Sequence, residues 1–207
     1  MPLAIQACLM ALTALTVAAS ADEPTPQPLA DTAQRYIVDA SRTQVSFEVR
    51  SLGIFKQRGW FGRSSGVVTL DPQASRGTFD VVIDATTVQA SSAARLRIIR
   101  GAGFLNVEQF RAISYKSEQV AFSDGKPSRV DGELTLLGVT HPVPLRVSAY
   151  QCAASVEGRP QRCTMDASAV FRRSDFGMTG STPLAGDRIR LTIHAEATPE
   201  AIAEQHE

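Results

Sequence analysis

From Tyr36 onward, apolar residues recur at every second position along most of the chain. In DGELTLLGVTHPVPLRVSAY, Asp131 to Tyr150, Leu134 and Leu136 alternate with polar partners, and Val143, Leu145, Val147 and Ala149 do so again. Near the C-terminus Ile189, Leu191, Ile193 and Ala195 alternate with Arg190, Thr192 and His194. This is the period of half-buried strands. Gly138 tolerates positive φ, and Pro142 and Pro144 have no N–H for a central ladder, so the first stretch predicts a hairpin whose second strand begins near an edge. Further strand signals are Tyr36 to Val38; Val45, Phe47 and Val49; Gly66 to Leu70; Thr78 to Asp84; Ala112 to Ser117; Gln119 to Phe122 before Asp124-Gly125; and Ala167 to Arg172. About eight strands with short connections predict an all-β, mostly antiparallel sheet, and its apolar face must be covered by barrel closure or by a second sheet.

Two segments depart from the period. In SSAARLRIIRGAGFL, Ser91 to Leu105, Ser91 or Ser92 can N-cap a helix with Leu96, Ile98 and Ile99 as its apolar stripe. A lone helix set into a barrel plugs or lids one end. In SLGIFKQRGWFGRSSG, Gly53, Gly59, Gly62 and Gly66 predict a bent strand or loop carrying Leu52, Ile54, Phe55, Trp60 and Phe61, with Lys56, Arg58 and Arg63 between them. Those aromatics either cap the core or line the mouth of an apolar cavity with a basic rim. If the apolar face points inward, the interior holds Phe47, Val49, Val68, Phe79, Val81, Ile113, Tyr115, Leu134, Leu136, Leu145, Val147, Phe171, Leu191 and Ile193.

The first 21 residues carry no charged side chain, run apolar from Leu3 to Ala19 and end in Ala19-Ser20-Ala21 before Asp22-Glu23. That is the pattern of a cleaved secretory signal, too short for a membrane span of about 20 residues. Cys8 lies too early for a lipoprotein box. The expected organisation is a signal at 1–21, a Pro-rich disordered linker at 22–34, one domain at 35–198 and a tail at 199–207. Cleavage leaves Cys152 and Cys163, an even count in an exported chain, which favours one disulfide over a metal site or a redox pair. The 21 basic and 21 acidic residues balance, so no electrostatic case for nucleic acid exists. No later segment could span a bilayer as a helix.

Catalytic signals are sparse. Asp175-Phe176-Gly177 matches a kinase triplet without the rest of that set and reads as a turn ending the strand Ala167 to Arg172. Gly101-Ala102-Gly103 lacks the third glycine and the preceding strand of a dinucleotide loop. His141, His194 and His206 lie far apart in sequence and read as exposed structural histidines. No G-x-S-x-G elbow is present, and no cofactor or metal is expected.

The order of several short stretches resembles the YceI-like family of periplasmic lipid-binding proteins: Tyr36 to Asp39, Leu52-Gly53-Ile54, Gly66 to Asp71, Ile83-Asp84-Ala85, FLNVEQF from Phe104 to Phe110, GELTLLGVTHPV from Gly132 to Val143, RSDFG from Arg173 to Gly177, and Gly186-Asp187. The resemblance implies an extended, lipocalin-like antiparallel β-barrel with one helix, whose hollow interior binds an isoprenoid, quinone-like or polyprenyl, or another long-chain lipid. It departs at Ser51, where the family often shows histidine, at Arg111, where proline is common, in the helix residues Arg97, Ile98 and Ile99, and in the cysteine-bearing loop. Resemblance and register together place Phe55, Trp60, Phe61 and Phe104 near a lipid entrance and Phe47, Val68, Tyr115 and Phe171 deeper. Val49, Leu52, Ile98, Phe110 and Phe176 complete the expected lipid contacts. Trp60→Ala is then expected to fold while losing lipid. The resulting expectation is a periplasmic, non-enzymatic carrier of a hydrophobic small molecule, with room for a homodimer. Its rivals are an enzyme acting on such a lipid, for which Tyr115 and Asp175 are the available polar groups, and a filled barrel serving protein interaction or stress protection.

Overall fold

The computed structural model describes residues 33–52, 54–153, 161–180 and 185–200. The expected signal, nearly all of the linker and tail, His206 and the centre of the loop between the cysteines lie outside the described residues. The elements, in chain order, are β1 (Gln34–Val38), β2 (Gln44–Ser51), β3 (Phe55–Phe61), β4 (Ser64–Asp71), β5 (Arg76–Asp84), β6 (Val88–Ala90), α1 (Ala93–Arg100), β7 (Ala112–Ser123), β8 (Lys126–Leu136), β9 (Val139–Pro142), β10 (Leu145–Ala153), β11 (Arg162–Arg172) and β12 (Ala185–Pro199). Short 3-10 turns follow β5 and β11. β1 begins at Gln34, the last residue given to the linker, and β12 runs to Pro199, the first of the tail.

Register reduces these segments to eight long strands. β1 and β2 lie end to end along β12, which pairs with β2 through Ala185 to His194 and with β1 through Ala197 to Pro199. β3 and β4 form the next strand, bent at Gly62-Arg63, with Ser51 opposite Phe55, Val45 opposite Phe61 and Ile37 opposite Val67. β5 and β6 follow β4 and β3 in the same way. β9 and β10 are one strand broken at Val143-Pro144, where proline cannot donate. All pairings are antiparallel, and β12 against β1 closes an extended antiparallel barrel with a single α-helix.

Local sequence explains the turns. Leu137 and Gly138, both at positive φ, form the two-residue connection between Leu136 and Val139, and β9 pairs only with β8, as the two prolines predict for an edge. The two signals Ala112 to Ser117 and Gln119 to Phe122 merge into β7, with a register shift between Lys116 and Gln119. There the Ser117 hydroxyl donates to Asp131 O at 2.6 Å and accepts from Gln119 N at 3.1 Å. The glycine-broken segment forms the bent strand that was one of its two expected forms, β3 running on into β4 through Gly62-Arg63. The helix is shorter than its sequence pattern: Ser92 caps it, Oγ accepting from Arg95 N, and it ends at Gly101.

The strands are amphipathic as expected. On β12, Ile189 and Leu191 are buried while Arg188, Arg190 and Thr192 face out. The half of the barrel near the chain ends is filled by Tyr36, Leu70, Phe79, Val120, Val130, Leu145 and Cys163. Cys152 and Cys163 face each other across β10 and β11 and are disulfide-bonded, with Cα atoms 4.0 Å apart. The opposite end carries the β2–β3 hairpin, α1, the β8–β9 turn and the 3-10 turn that follows β11.

Candidate functional site

A cavity of about 300 Å³ occupies the half of the barrel beneath α1. That volume falls in the range of small-molecule sites rather than of a packed core. Its walls are Val45, Phe47 and Val49 of β2, Gln57, Arg58 and Phe61 of β3, Ile83, Ile113, Leu134, Phe171, Ile189 and Leu191 from the strands around the ring, and Arg95, Ile98 and Ile99 of α1. Phe47 and Phe61 lie with ring centroids 5.5 Å apart. Phe47, Val49 and Phe171 are only half-buried although they point inward, because what they face is the cavity. Arg58, Arg95 and Ile98 are both lining and exposed, so the mouth opens between β3 and α1. The Arg100 guanidinium donates to Thr86 O at 2.8 Å and ties the end of the helix to the turn before β6.

Arg173 is the least expected member of the wall. It is 1% exposed. Its guanidinium donates to the carbonyls of Met178 at 2.7 Å, Ala185 at 3.1 Å and Gly186 at 3.1 Å, and its Cζ lies 5.4 Å from the Phe104 ring centroid. Burial pulls its pKa below the usual guanidinium value, opposed by Asp187; an arginine still keeps its proton. Asp187 in turn accepts from the Ser174 N–H and hydroxyl, both at 3.0 Å. RSDFG is therefore a structural knot: Arg173 and Ser174 fasten the turn to Gly186-Asp187, Phe176 is buried, and Gly177 takes the left-handed conformation that ends the turn.

Six expected contacts meet in the cavity: Phe47, Val49, Phe61, Ile98, Phe104 and Phe171. The others lie elsewhere. Val68 borders a small space of about 40 Å³ near the chain ends. The Tyr115 hydroxyl lies 3.2 Å from Val130 O and 3.1 Å from Val143 O, and burial raises its pKa, so it serves as a neutral donor inside the core. Phe176 packs edge-on to Phe171 and to His141, each at 5.2 Å, which makes His141 half-buried rather than exposed. Phe110 lies against Gly138. Leu52 and Phe55 project at the β2–β3 tip, and Trp60 faces outward at 39% exposure. Strand parity puts Trp60 on the face opposite Phe61, and Trp60 does not line the cavity.

Sequence reasoning placed Arg58 on the basic rim of the mouth, where it lies, but missed Gln57, Arg95, Arg173 and Met178 as wall residues. Position supplied a signal for Gln57, two residues before Gly59 and four before Phe61. Among the described residues, Gln57 Oε1 is a buried acceptor with no protein partner. No group of three or more His, Cys, Asp or Glu gathers among the described residues, and no helix there is long and apolar enough to cross a membrane.

Residues 36–197 match the model of the YceI-like domain. The chain belongs to the YceI-like family. Similar sequences include a UPF0312 protein of Enterobacter sp. strain 638, 30% identical over 159 residues that cover 75% of this chain and 81% of that one. Another, from Shewanella sp. strain W3-18-1, is 27% identical over 172 residues, covering 82% and 90%. Among solved structures, this YceI-like barrel resembles Burkholderia cenocepacia BcnA, with TM-score 0.63 and 22% identity over 78% of this chain and 99% of that one. It also resembles a polyisoprenoid binding domain from Saccharophagus degradans implicated in plant cell wall breakdown, with TM-score 0.58 and 14% identity over 80% and 98%. At those identities the likeness is one of fold.

Proposed function

We propose that this YceI-like protein is a periplasmic, non-enzymatic carrier that holds an isoprenoid, quinone-like or polyprenyl, or another long-chain amphiphile in the cavity beneath α1. The observation that carries the reading is the cavity itself, apolar on nearly every wall and open between β3 and α1. Each buried methylene contributes about 0.8 kcal/mol, so a chain threaded along Val45, Phe47, Val49, Ile189 and Leu191 binds without covalent help. Gln57 suits the polar end of an amphiphile, because its unpartnered buried oxygen is costly until a donor meets it. The similar Saccharophagus domain is described as polyisoprenoid-binding.

Against the enzyme rival, Tyr115 is engaged inside the core and Asp175 is exposed, and neither lines the cavity. The polar wall groups are Ser51, Gln57 and three arginines, none of them a base at neutral pH. Export is supported by the residue pattern of 1–21 and by the disulfide. The direct test delipidates the protein in detergent and organic solvent, refolds it and offers a prenyl alcohol or a quinone. Saturable uptake with one lipid per chain is expected, and no uptake of either would overturn the reading. Intact mass of the exported protein is expected to start at Asp22; a mass that retains Met1 to Ala21 would refute the processing.

A further inference from the structure

Among the described residues, the four most exposed large apolar side chains are Ile54 at 74%, Leu52 at 60%, Phe55 at 57% and Ile98 at 54%. All four flank the mouth of the cavity. Leu52, Ile54 and Phe55 crown the hairpin whose stems supply Ser51, Gln57 and Arg58 to the wall, and Ile98 lies on the helix across the opening. Such a concentration of the most exposed apolar side chains marks an interaction site.

Charge identifies the partner. Segments 50–63 and 91–105, which build the hairpin and the helix, hold Arg50, Lys56, Arg58, Arg63, Arg95, Arg97 and Arg100 and no carboxylate, one third of the chain's 21 cations in a protein of zero net charge. Glu48 pairs with Lys56 at 3.7 Å and Arg58 at 3.0 Å, and Arg63 approaches Asp84 at 4.0 Å. Arg50, Arg95 and Arg97 have no carboxylate within ion-pair distance among the described residues. Apolar side chains that project beyond a collar of cations match a surface with anionic groups outside and hydrocarbon beneath. We infer that the mouth docks on an anionic phospholipid membrane, with Leu52, Ile54, Phe55 and Ile98 entering the acyl boundary and the arginines meeting the lipid phosphates. Docked in this way, the opening between β3 and α1 faces the hydrocarbon, and a lipid chain passes between bilayer and cavity without crossing water.

The purpose of docking rests on the carrier reading, but docking is measured separately, on vesicles that contain no cargo. Flotation with phosphatidylglycerol–phosphatidylcholine vesicles is expected to carry the exported protein upward. Pure phosphatidylcholine is expected to bind it at least about tenfold more weakly, and the difference to shrink in salt as the screening length falls from about 10 Å at 0.1 M to about 3 Å at 1 M. Ile54→Glu should lower vesicle binding at least tenfold with unchanged melting temperature, and Arg97→Glu should weaken it in low salt only. Val170→Glu, at an exposed apolar position on β11, three strands from β3 in the sheet, should leave binding intact. Binding that ignores anionic lipid, equal losses in I54E and V170E, or a wild type that self-associates through the tip and does not float would each overturn the inference. Protein that docks but takes up no prenyl lipid would contradict the carrier reading alone.

Discussion

The ring of Phe47 lies directly over Gly59, its cross-strand neighbour on β3: a Cβ built on Gly59 would collide with Phe47 Cζ and sit 2.7 Å from Gln89 O. The missing side chain is what allows Phe47 to lie back against the wall and leave the space above it open. Gly59→Ala is therefore expected to push the ring into the cavity, destabilising the fold by about 1–3 kcal/mol and lowering lipid uptake several-fold. Thermal unfolding and an uptake titration measure both. An alanine variant with full uptake would show that Phe47 does not bound the binding space.

Phe171 and Trp60 make a matched pair. Phe171 lines the cavity and packs on Phe176, so Phe171→Asp buries an unpaired carboxylate at a cost of about 3 kcal/mol or more and should abolish retention. Trp60 faces outward, so Trp60→Ala should retain lipid as wild type does, the reverse of what the sequence pattern alone suggests. Lipid retained after purification, scored against melting temperature, distinguishes the two; loss in W60A would place the entrance on the outer face of β3.

Arg173→Lys removes the fork that satisfies three carbonyls and leaves at least two of them short of a donor. A loss of about 2–4 kcal/mol is expected in denaturant unfolding, and it should be independent of salt because no ion pair is broken. A loss that varies strongly with salt would mean that Asp187, not the carbonyls, is the important partner.

The Cys152–Cys163 bond, 11 residues apart in sequence, lies at the end of the barrel away from the cavity. Replacing both by serine should destabilise the protein by about 3 kcal/mol on the chain-entropy model and leave lipid uptake unchanged. Equilibrium unfolding with an uptake assay checks both parts.

The strands were legible because strand physics is local. Ile189, Leu191 and Ile193 against Arg190 and Thr192 announce one inward face, and Gly138 after Leu137 announces a hairpin. Parity was also legible, since adjacent strand residues such as Trp60 and Phe61 face opposite sides. Arg173 was not: nothing in a single sequence distinguishes an arginine that caps three carbonyls from one in solvent, because its partners, Met178, Ala185 and Gly186, act through backbone oxygens that every residue has. Gln57 was hidden by the glycines around it, which left bent strand and loop both open, so no inward face could be assigned; β2 on one side and β6 beyond hold that segment in a strand.

Mass spectrometry of an organic extract of the natively purified protein asks whether the barrel carries a long-chain lipid. One dominant species with a long isoprenoid or other hydrocarbon chain is expected, approaching one per protein and missing from the Phe171→Asp extract. An extract indistinguishable from that of an unrelated protein expressed and purified in parallel would mean that the barrel carries no lipid.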